Sequence, residues 1–317
     1  MAANVESMMY FGQRPWHGLG TELDKPATAE DAIICAGLDW EVQKYPMHLE
    51  VGPGEPMVQI PDAYATVRVR PGGKINRQDI LGVVGERYLP LQNKDAFAFF
   101  DAIVGERQAI YHTAGVLGKG ERIWLLAKLP GEIVVPGNDI TEKFLLLTNS
   151  HNGNSSVQVK FTPIRVVCQN TLSAAMSDGG DIVNIRHTSY MDGRLKEAHK
   201  LLNITNTYYQ RLDEVFKAMA RKPLDVAGFD TYLSAVLPEA SDETRGNVTS
   251  VFEMGAGSDI QAIRGTLWAG YNAFTEYSDW HRPRVKSEKR LNSIWFGSGA
   301  QIKQRAFVEA EKILMAA

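Results

Sequence analysis

The stretch KFLLLTNSHNGNSSVQVKFTPIRVVCQNTLSAAM, residues 143–176, decides the fold. It predicts a strand, a tight turn at Asn152-Gly153, a second strand and a short extended piece that leads into a helix. The turn prediction rests on the positive φ that both residues tolerate, as a type I′ turn requires. Apolar and polar residues alternate in VQVKFT, residues 157–162. This period of two predicts one apolar face and one polar, basic face that includes Lys160.

Pro163 follows the second strand, and a cluster of polar residues follows Pro163. Proline removes a ladder donor and restricts the residue before it, so the strand should end there. Arg165 and the run CQNT, residues 168–171, then occupy a corner between strand and helix. Such a corner is either a buried hydrogen-bonded knot or a ligand site, and the sequence leaves both interpretations open.

The chain around this stretch predicts an α+β fold. Strands at 109–116 and 121–129 flank the turn Gly118-Lys119-Gly120, and with the strands of 143–176 they form an antiparallel β-meander. We expect a β-β-β-α core with helices on one face, since such a sheet usually buries one face and exposes the other. The segment after residue 192 is helical in pattern, with capping residues expected at Ser241, Ser258 and Ser298. We therefore predict two parts, a mixed α/β domain at 1–187 and a helical region packed on it at 188–317.

Composition limits the function classes. The 317 residues carry a formal net charge of −3, so overall charge predicts no partner and nucleic-acid binding would need a local basic patch. The two cysteines, Cys35 and Cys168, do not form a disulfide framework and fit a reducing cytoplasm. No apolar run reaches the roughly 18 residues of a membrane span, and the first residues lack the order of a signal peptide. These features predict a cytoplasmic protein.

No catalytic motif is complete in the sequence. Gly115 to Gly120 differs from a phosphate-binding loop in its spacing and lacks the Ser or Thr after the lysine. His187 and His199 are spaced too loosely for a metal site, and Cys168 could be a nucleophile, although a thiol at an apolar helix start is more often a small buried residue. The sequence therefore predicts a non-catalytic protein without metal or cofactor.

A basic segment in the C-terminal part favours nucleic acid. HRPRVKSEKR, residues 281–290, follows aromatic residues at three-residue spacing from Trp268 to Trp280, and Lys303 and Arg305 add positive charge. Cations beside exposed aromatics neutralise phosphates and stack bases in single-strand binding. The same spacing is also typical of a helix core, and a basic loop can simply be solvated. The candidate phosphate contacts are eight cations: Arg122, Lys128, Lys160, Arg165, Arg282, Arg284, Lys286 and Arg290.

Eight short blocks in order resemble a known family. They are PWHGLGT, GLDWEV, LGVVGERYLPLQN, GERIWLLAKLP, LLLTNSHNG, FTPIRVVCQNTL, GTLWAGYNAFTEY and WFGSGA. Together they resemble the phage/plasmid-like proteins, also called domain of unknown function 932. This resemblance implies a mobile-element origin and a bacterial cytoplasm, but no agreed activity or catalytic residues.

A looser similarity, of architecture only, is to the Rad52-like single-strand annealing proteins of phages. It implies a homo-oligomer, a ring or filament, that holds single-stranded DNA in a basic groove beside the sheet. We therefore expect a DNA-binding and annealing protein of phage or plasmid replication or recombination. The alternative is a counter-defence factor that binds a host protein.

Overall fold

The computed structural model describes residues 5–12, 19–104, 110–165, 170–171, 182–185, 187, 207–282, 293–295 and 297–316. The strands are β1 (Val5–Phe11), β2 (Thr21–Leu23), β3 (Glu41–Leu49), β4 (Val58–Val69), β5 (Ile80–Val84), β6 (Ile110–Leu117), β7 (Arg122–Val135), β8 (Asp139–Ser150), β9 (Val157–Phe161), β10 (Ile164–Arg165), β11 (Asn170–Thr171) and β12 (Ile182–Ile185). The helices are α1 (Ala29–Cys35), α2 (Asn93–Val104), α3 (described over residues 207–221), α4 (Val226–Val236), α5 (Asp242–Met254), α6 (Leu267–Glu276) and α7 (Ser298–Met315), with a 3₁₀ turn at Arg77–Asp79 and a π-helical turn at Tyr277–His281.

The chain forms two compact units that alternate along the sequence. The first consists of Met1–Lys128, Leu146–Lys160 and Val183–Leu202, and the second of Leu129–Leu145, Phe161–Ile182 and Asn203–Ala317. The division into 1–187 and 188–317 remains a prediction. Within the described ranges, none of the helices combines the length and apolar character needed to cross a membrane.

The larger sheet has the strand order β11-β10-β8-β7-β6-β1-β2, and β9 pairs with both β8 and β12. β6 and β7 are antiparallel neighbours with Leu117 opposite Arg122, whereas β1 and β2 are parallel. The α+β class with meander-like antiparallel strands and a helical C-terminal part is therefore confirmed. The β7 strand extends to Val135 and is longer than the predicted strand at 121–129. It continues through Gly131, whose positive φ of +77° is a backbone conformation that most other residues could not adopt without ending the strand.

The central strands are buried on both faces, so the expectation that one face stays open is wrong for them. All five residues of β7 from Ile123 to Ala127 are buried, although alternate side chains of a strand point to opposite faces. On β8, residues 144–150 are all buried as well. Only β9 has the predicted alternation, with Val157, Val159 and Phe161 buried and the intervening residues half-buried. The central strands are buried on both faces because β7 carries apolar residues on both of its sides.

The tight turn of this meander is not where the sequence analysis placed it. Gly137 and Asn138 both have positive φ, +86° and +55°, and they join β7 to β8 as a type I′ turn would. In the β8–β9 connection only Gly153 has positive φ. There the Asn152 side chain accepts hydrogen bonds from Ser150 Oγ and Asn154 N, and this local bonding holds a longer loop instead.

A second sheet of three antiparallel strands has the order β3-β4-β5. Its inner face packs closely in the first unit, where a Cβ on Gly82 would lie 2.7 Å from the Asn152 Cα. Arg68 projects from the same face, donates to both carboxylate oxygens of Glu6 at 2.8 Å and lies over the Trp40 ring. The close backbone approach and the ion pair of Arg68 with Glu6 therefore help to hold this sheet in place.

The C-terminal helices pack around α6, whose ten residues are all buried. The helix begins at Leu267 after the Thr266 N-cap, so the predicted start at Ser258 is wrong. Ser258 Oγ donates to the Ala269 carbonyl at 3.3 Å instead of capping, and Gly265 turns the chain with a φ of +67° just before the helix. Ser241 does cap α5, whereas α7 has Gly297 at its N-cap.

Candidate nucleic-acid interface

Three of the predicted cations lie on the larger sheet, within the first unit. Arg122 begins β7, and Lys128 lies six residues along the same strand and therefore on the same side of it. Lys160 lies on β9, which pairs with β8, the neighbour of β7. All three side chains are half-buried. Burial lowers the pKa of Arg122 from its ordinary value, as expected for a guanidinium partly removed from water.

Arg165 belongs to the corner between strand and helix. The backbone there forms a short ladder, in which Arg165 pairs with Asn170 on one side and with Thr141 of β8 on the other. This pairing gives the corner a structural role through its main chain. The role of its side chains, including Cys168 and Gln169 outside the described residues, stays a prediction.

Arg284, Lys286 and Arg290 also lie outside the described residues. Arg282, the first arginine of the basic segment, is described and half-buried. It follows directly after the π-helical turn that extends α6. Its Nη1 donates to the Ser298 Oγ at 2.7 Å, at the start of α7. The basic segment is therefore attached to the helical core at its first arginine.

Arg282 and Arg305 line one open cleft of about 420 Å³ in the second unit. Arg305 lies on α7, where its Nη1 donates to the carbonyl oxygen of Val236 at the end of α4. Among the described residues Arg305 is in no ion pair, so no carboxylate directly neutralises its charge. The lining residues are Leu237, Pro238, Glu239, Ala240, Ser241, Thr244, Tyr277, Arg282, Ile302 and Arg305. We call this cleft the arginine cleft.

The arginine cleft has the chemistry of an anion site. Two guanidinium groups and one carboxylate, Glu239, leave it with one net positive charge among its lining residues. Guanidinium is the side-chain group best suited to phosphate because its planar fork offers paired donors. The hydroxyls of Ser241 and Thr244 are already used in the cap of α5, where Ser241 Oγ accepts from Thr244 N. Recognition of an anion here would therefore depend on the two arginines.

Most of the aromatic residues before the basic segment are core residues. Trp268, Tyr271 and Phe274 are 0 % exposed and Tyr277 is 3 % exposed, so they cannot stack on bases as the sequence analysis suggested. They pack with aromatic residues of the other helices, for example with the Phe216 ring 4.5 Å from that of Trp268. Trp280 differs from them because it is 40 % exposed. It is the described member of this series that can meet a base.

Lys303 is buried too, although it was counted with the positive charge of the segment. Its Nζ lies 2.8 Å from Asp279 Oδ1, and this ion pair removes its charge from the surface. Sequence reasoning named Arg305 only as nearby charge and missed its place beside Arg282. The signal was the three-residue spacing of Ile302 and Arg305 near the start of α7, which places them on one side of the helix, but the facing residues come from three other elements.

The π-helical turn contributes residues to two clefts, Tyr277 to the arginine cleft and His281 to a second one. The second open cleft, of about 520 Å³, contains Glu276 and His281, with His281 Nε2 3.4 Å from Glu276 Oε1. The Glu276 carboxylate also accepts from the backbone N–H groups of Ala256 and Gly257. Two backbone donors and a histidine satisfy this carboxylate, so it anchors the loop after α5. Within the described residues no group of three or more His, Cys, Asp or Glu side chains is arranged to hold a metal ion.

Comparison with family models gives one match. A model described as a domain of unknown function, DUF932, matches residues 80–295 and therefore more than half of the chain. The cleft with Glu276 and His281 falls entirely in the matched region. The arginine cleft falls in it except for its two α7 residues, Ile302 and Arg305. No curated protein and no solved structure matches the chain.

Proposed function

Since the chain belongs to the DUF932 family, whose description gives no activity, we propose a function from the chemistry of its site: binding of single-stranded DNA. In this proposal the protein is a phage or plasmid protein that acts as a homo-oligomer in the bacterial cytoplasm. It promotes the annealing of complementary strands during replication or recombination. It needs no nucleotide, metal or catalytic step, because annealing requires only that strands be held and brought together.

The observation that carries the proposal is the pair Arg282 and Arg305 in one cleft. A nucleic-acid backbone presents a phosphate at each nucleotide, and cationic side chains bind it by displacing condensed counterions. An open cleft admits a flexible single strand more easily than a duplex. Arg282 also belongs to the basic segment at 281–290, whose Arg284, Lys286 and Arg290 are further phosphate contacts in this proposal.

The exposed face of Trp280 supports a single-stranded ligand. Base stacking on an aromatic ring needs an unpaired base, and it tolerates any sequence because every base has a π-face. Trp280 lies two residues before Arg282, so a base and its phosphate could contact the same short segment. Arg122, Lys128 and Lys160 would give further phosphate contacts in the first unit, and Arg165 at the corner.

Fluorescence anisotropy with a labelled thymidine 30-mer tests the proposal. Raising salt from about 50 to about 200 mM should weaken binding by about tenfold or more, since several phosphates are contacted. The double variant Arg282→Ala/Arg305→Ala should bind more weakly. Its plot of log affinity against log salt should also be shallower by roughly 1.4, about 0.7 for each phosphate contact that is lost.

The matched control is Arg264→Ala. Arg264 lies in the same unit, is 62 % exposed and pairs with Asp259, outside the arginine cleft. It should bind the oligonucleotide like the parent with the same salt dependence. If the double variant binds as tightly as the parent while both melt at the same temperature, the arginine cleft is not the binding site. If the parent itself shows no salt-sensitive binding, the DNA proposal is wrong.

Annealing is tested separately from binding. Two complementary oligonucleotides, one with a fluorophore and one with a quencher, anneal slowly at nanomolar concentration, and the protein should accelerate quenching. The Arg282→Ala/Arg305→Ala variant should lose most of this acceleration, and the Arg264→Ala variant should keep it. Binding without acceleration would leave a single-strand binding protein and exclude the annealing activity.

A further inference from the structure

The outer face of the three-stranded sheet is apolar. From the strand registers, the side chains that point away from the packed face and are at least partly exposed are Gln43, Tyr45, Met47 and Leu49 on β3, Val58 and Ala65 on β4, and Ile80 and Val83 on β5, with Glu41 at one end. Val67 lies on the same side of β4 but is only 4 % exposed. Pairs such as Tyr45 with Ala65 and Ala65 with Val83 lie directly opposite each other. We call this surface the outer sheet face.

This face is exposed, which is unusual for its composition. A sheet that covers a core on one side normally carries polar residues on the other. Here Leu49, Val58 and Val83 are 57, 55 and 58 % exposed, and Glu41 is the charged residue among the outward-facing positions that the strand registers pair. Val51 and Met57, at the tip of the β3–β4 hairpin, continue the apolar surface and are 63 and 65 % exposed.

The opposite face of the same sheet accounts for its stability, so the outer sheet face is not needed to hold the sheet in place. Gly82 approaches the Asn152 backbone, and Val84 contacts Gly153. Arg68 adds its buried ion pair with Glu6 on that side. These contacts do not involve the exposed apolar side chains of the outer sheet face, so those side chains are not needed to stabilise the sheet within the described chain.

We propose that the outer sheet face binds the same face of a second copy of this chain and forms a two-fold dimer. Apart from Gln43 and Glu41 the face is apolar, so two copies of it can pack together, as a two-fold interface requires, without opposing like charges over most of the contact. Two sheets that stack in this way lie about 10 Å apart and interdigitate their side chains.

The area agrees with such a dimer. At their fractional exposures of 38 to 65 %, roughly 100 Å² each, the seven residues Tyr45, Leu49, Val51, Met57, Val58, Ile80 and Val83 expose on the order of 700 Å². A stable interface buries about 800 Å² on each partner, whereas apolar patches on monomers are usually about 300 to 600 Å². The two tip residues extend the contact beyond the three strands.

This dimer does not depend on the proposed DNA binding, because its residues lie in the first unit and the arginine cleft lies in the second. Sedimentation velocity of the full chain over 1 to 100 µM tests it. The parent, with a chain mass of 35.2 kDa, should sediment as a dimer at the upper concentrations. Salt up to about 1 M should leave the dimer intact or strengthen it, because apolar contacts are not screened.

The variants Leu49→Lys and Val83→Lys should each raise the dimer dissociation constant at least tenfold, and the double variant should be monomeric. Both positions are more than half exposed, so the monomer should fold with an unchanged far-UV circular dichroism spectrum. The matched controls Ile34→Lys and Met254→Lys, at positions 67 and 71 % exposed outside this face, should dimerise like the parent. The monomeric double variant should still bind the thymidine 30-mer if the arginine cleft is the DNA site.

Three results would overturn the proposal. A parent that is monomeric at 100 µM means that the outer sheet face has another occupant, either another protein or another segment of this chain. A double variant that dimerises like the parent places the interface elsewhere. Dissociation by a control lysine shows that added charge, not the outer sheet face, breaks the contact.

Discussion

Lys303 and Asp279 form an ion pair with 2.8 Å between Nζ and Oδ1, and their side chains are 0 and 4 % exposed. Burial lowers the pKa of Lys303, while the charge and hydrogen bond of Asp279 oppose that shift. The pair joins α7 to the π-helical turn that positions Arg282. A charge buried this deeply is tolerated only with its partner present.

We predict that Lys303→Met lowers the free energy of unfolding by about 3 to 5 kcal/mol, because it leaves the Asp279 carboxylate buried without its cation. Urea unfolding followed by circular dichroism measures the loss. The double variant Lys303→Met/Asp279→Leu should recover most of it, since no charge then stays buried. Lys312→Met removes an exposed pair with Glu309 and should change stability by less than about 1 kcal/mol. Equal losses in the single and double variants would contradict this account.

Acid should destabilise the first unit through His151. This residue is 0 % exposed, its Nε2 lies 3.0 Å from Asn93 Oδ1, and its Nδ1 has no hydrogen-bond partner among the described residues. Asn93 Nδ2 donates to the Leu38 and Trp40 carbonyls, so its Oδ1 accepts and His151 Nε2 carries the proton. Protonation of Nδ1 would bury a charge, and burial lowers the pKa of His151 from 6.5 to about 3.

His151 is therefore protonated below pH 6.5 in the unfolded chain, but only below about pH 3 in the folded protein. The contribution of neutral His151 to the free energy of unfolding is fully present above pH 6.5. It decreases as the pH falls through this window, by about 2 kcal/mol between pH 7 and pH 5. Urea unfolding at both pH values measures the difference. His151→Gln should be less stable at pH 7 but lose about 2 kcal/mol less on acidification. His48→Gln, at an exposed position of β3, is the matched control and should be as stable as the parent at pH 7.

Local signals in the sequence located some element ends but not others. Ser241 caps α5 and Thr28 caps α1, because a side-chain oxygen can satisfy the first N–H groups without tertiary help. Ser258 carries the same signal, yet its hydroxyl bonds to Ala269 and the helix starts at Leu267. The competing factor is tertiary, since the loop before α6 is held by Glu276 through the Ala256 and Gly257 amides.

The site was less predictable than the fold. Arg282 was identified from charge density alone, but its neighbour Arg305 lies 23 positions later on another helix. Trp268 and Trp280 belong to one evenly spaced series, and only the packed helices distinguish the buried ring from the half-exposed one.

The outer sheet face was missed because Leu49 and Val83 look like core residues in an alternating strand. Their direction depends on the strand registers and on the bulge in β4, which one sequence does not specify.

Two glycine-to-alanine substitutions should have opposite signs. In Gly82→Ala the new Cβ would lie 2.7 Å from Asn152 Cα and 2.9 Å from its carbonyl oxygen, so the sheet and the β8–β9 loop must separate. We expect a loss of about 1 to 3 kcal/mol. Gly246 lies inside α5 with no atom within 4 Å of a new Cβ, so Gly246→Ala should stabilise the protein by about 0.5 to 1 kcal/mol. Thermal melts of both variants measure the difference, and a shift of the same sign in both would disprove the packing explanation.

Substitutions at Trp280 and Trp268 distinguish a ring that contacts the ligand from a ring that only packs in the core. Trp280→Ala removes a 40 % exposed ring and should weaken binding of the thymidine 30-mer by about 1 to 3 kcal/mol, with a small change in stability. Trp268 is 0 % exposed, and its Nε1 donates to the buried Asp139 Oδ2 at 2.7 Å. Trp268→Phe keeps most of the ring volume but removes this donor, so it should lower the free energy of unfolding by about 1.5 to 3 kcal/mol. The folded Trp268→Phe protein should bind DNA like the parent, because the ring never meets solvent. Anisotropy titrations and urea unfolding of both variants measure these effects, and normal DNA binding by Trp280→Ala would remove base stacking from the proposed interface.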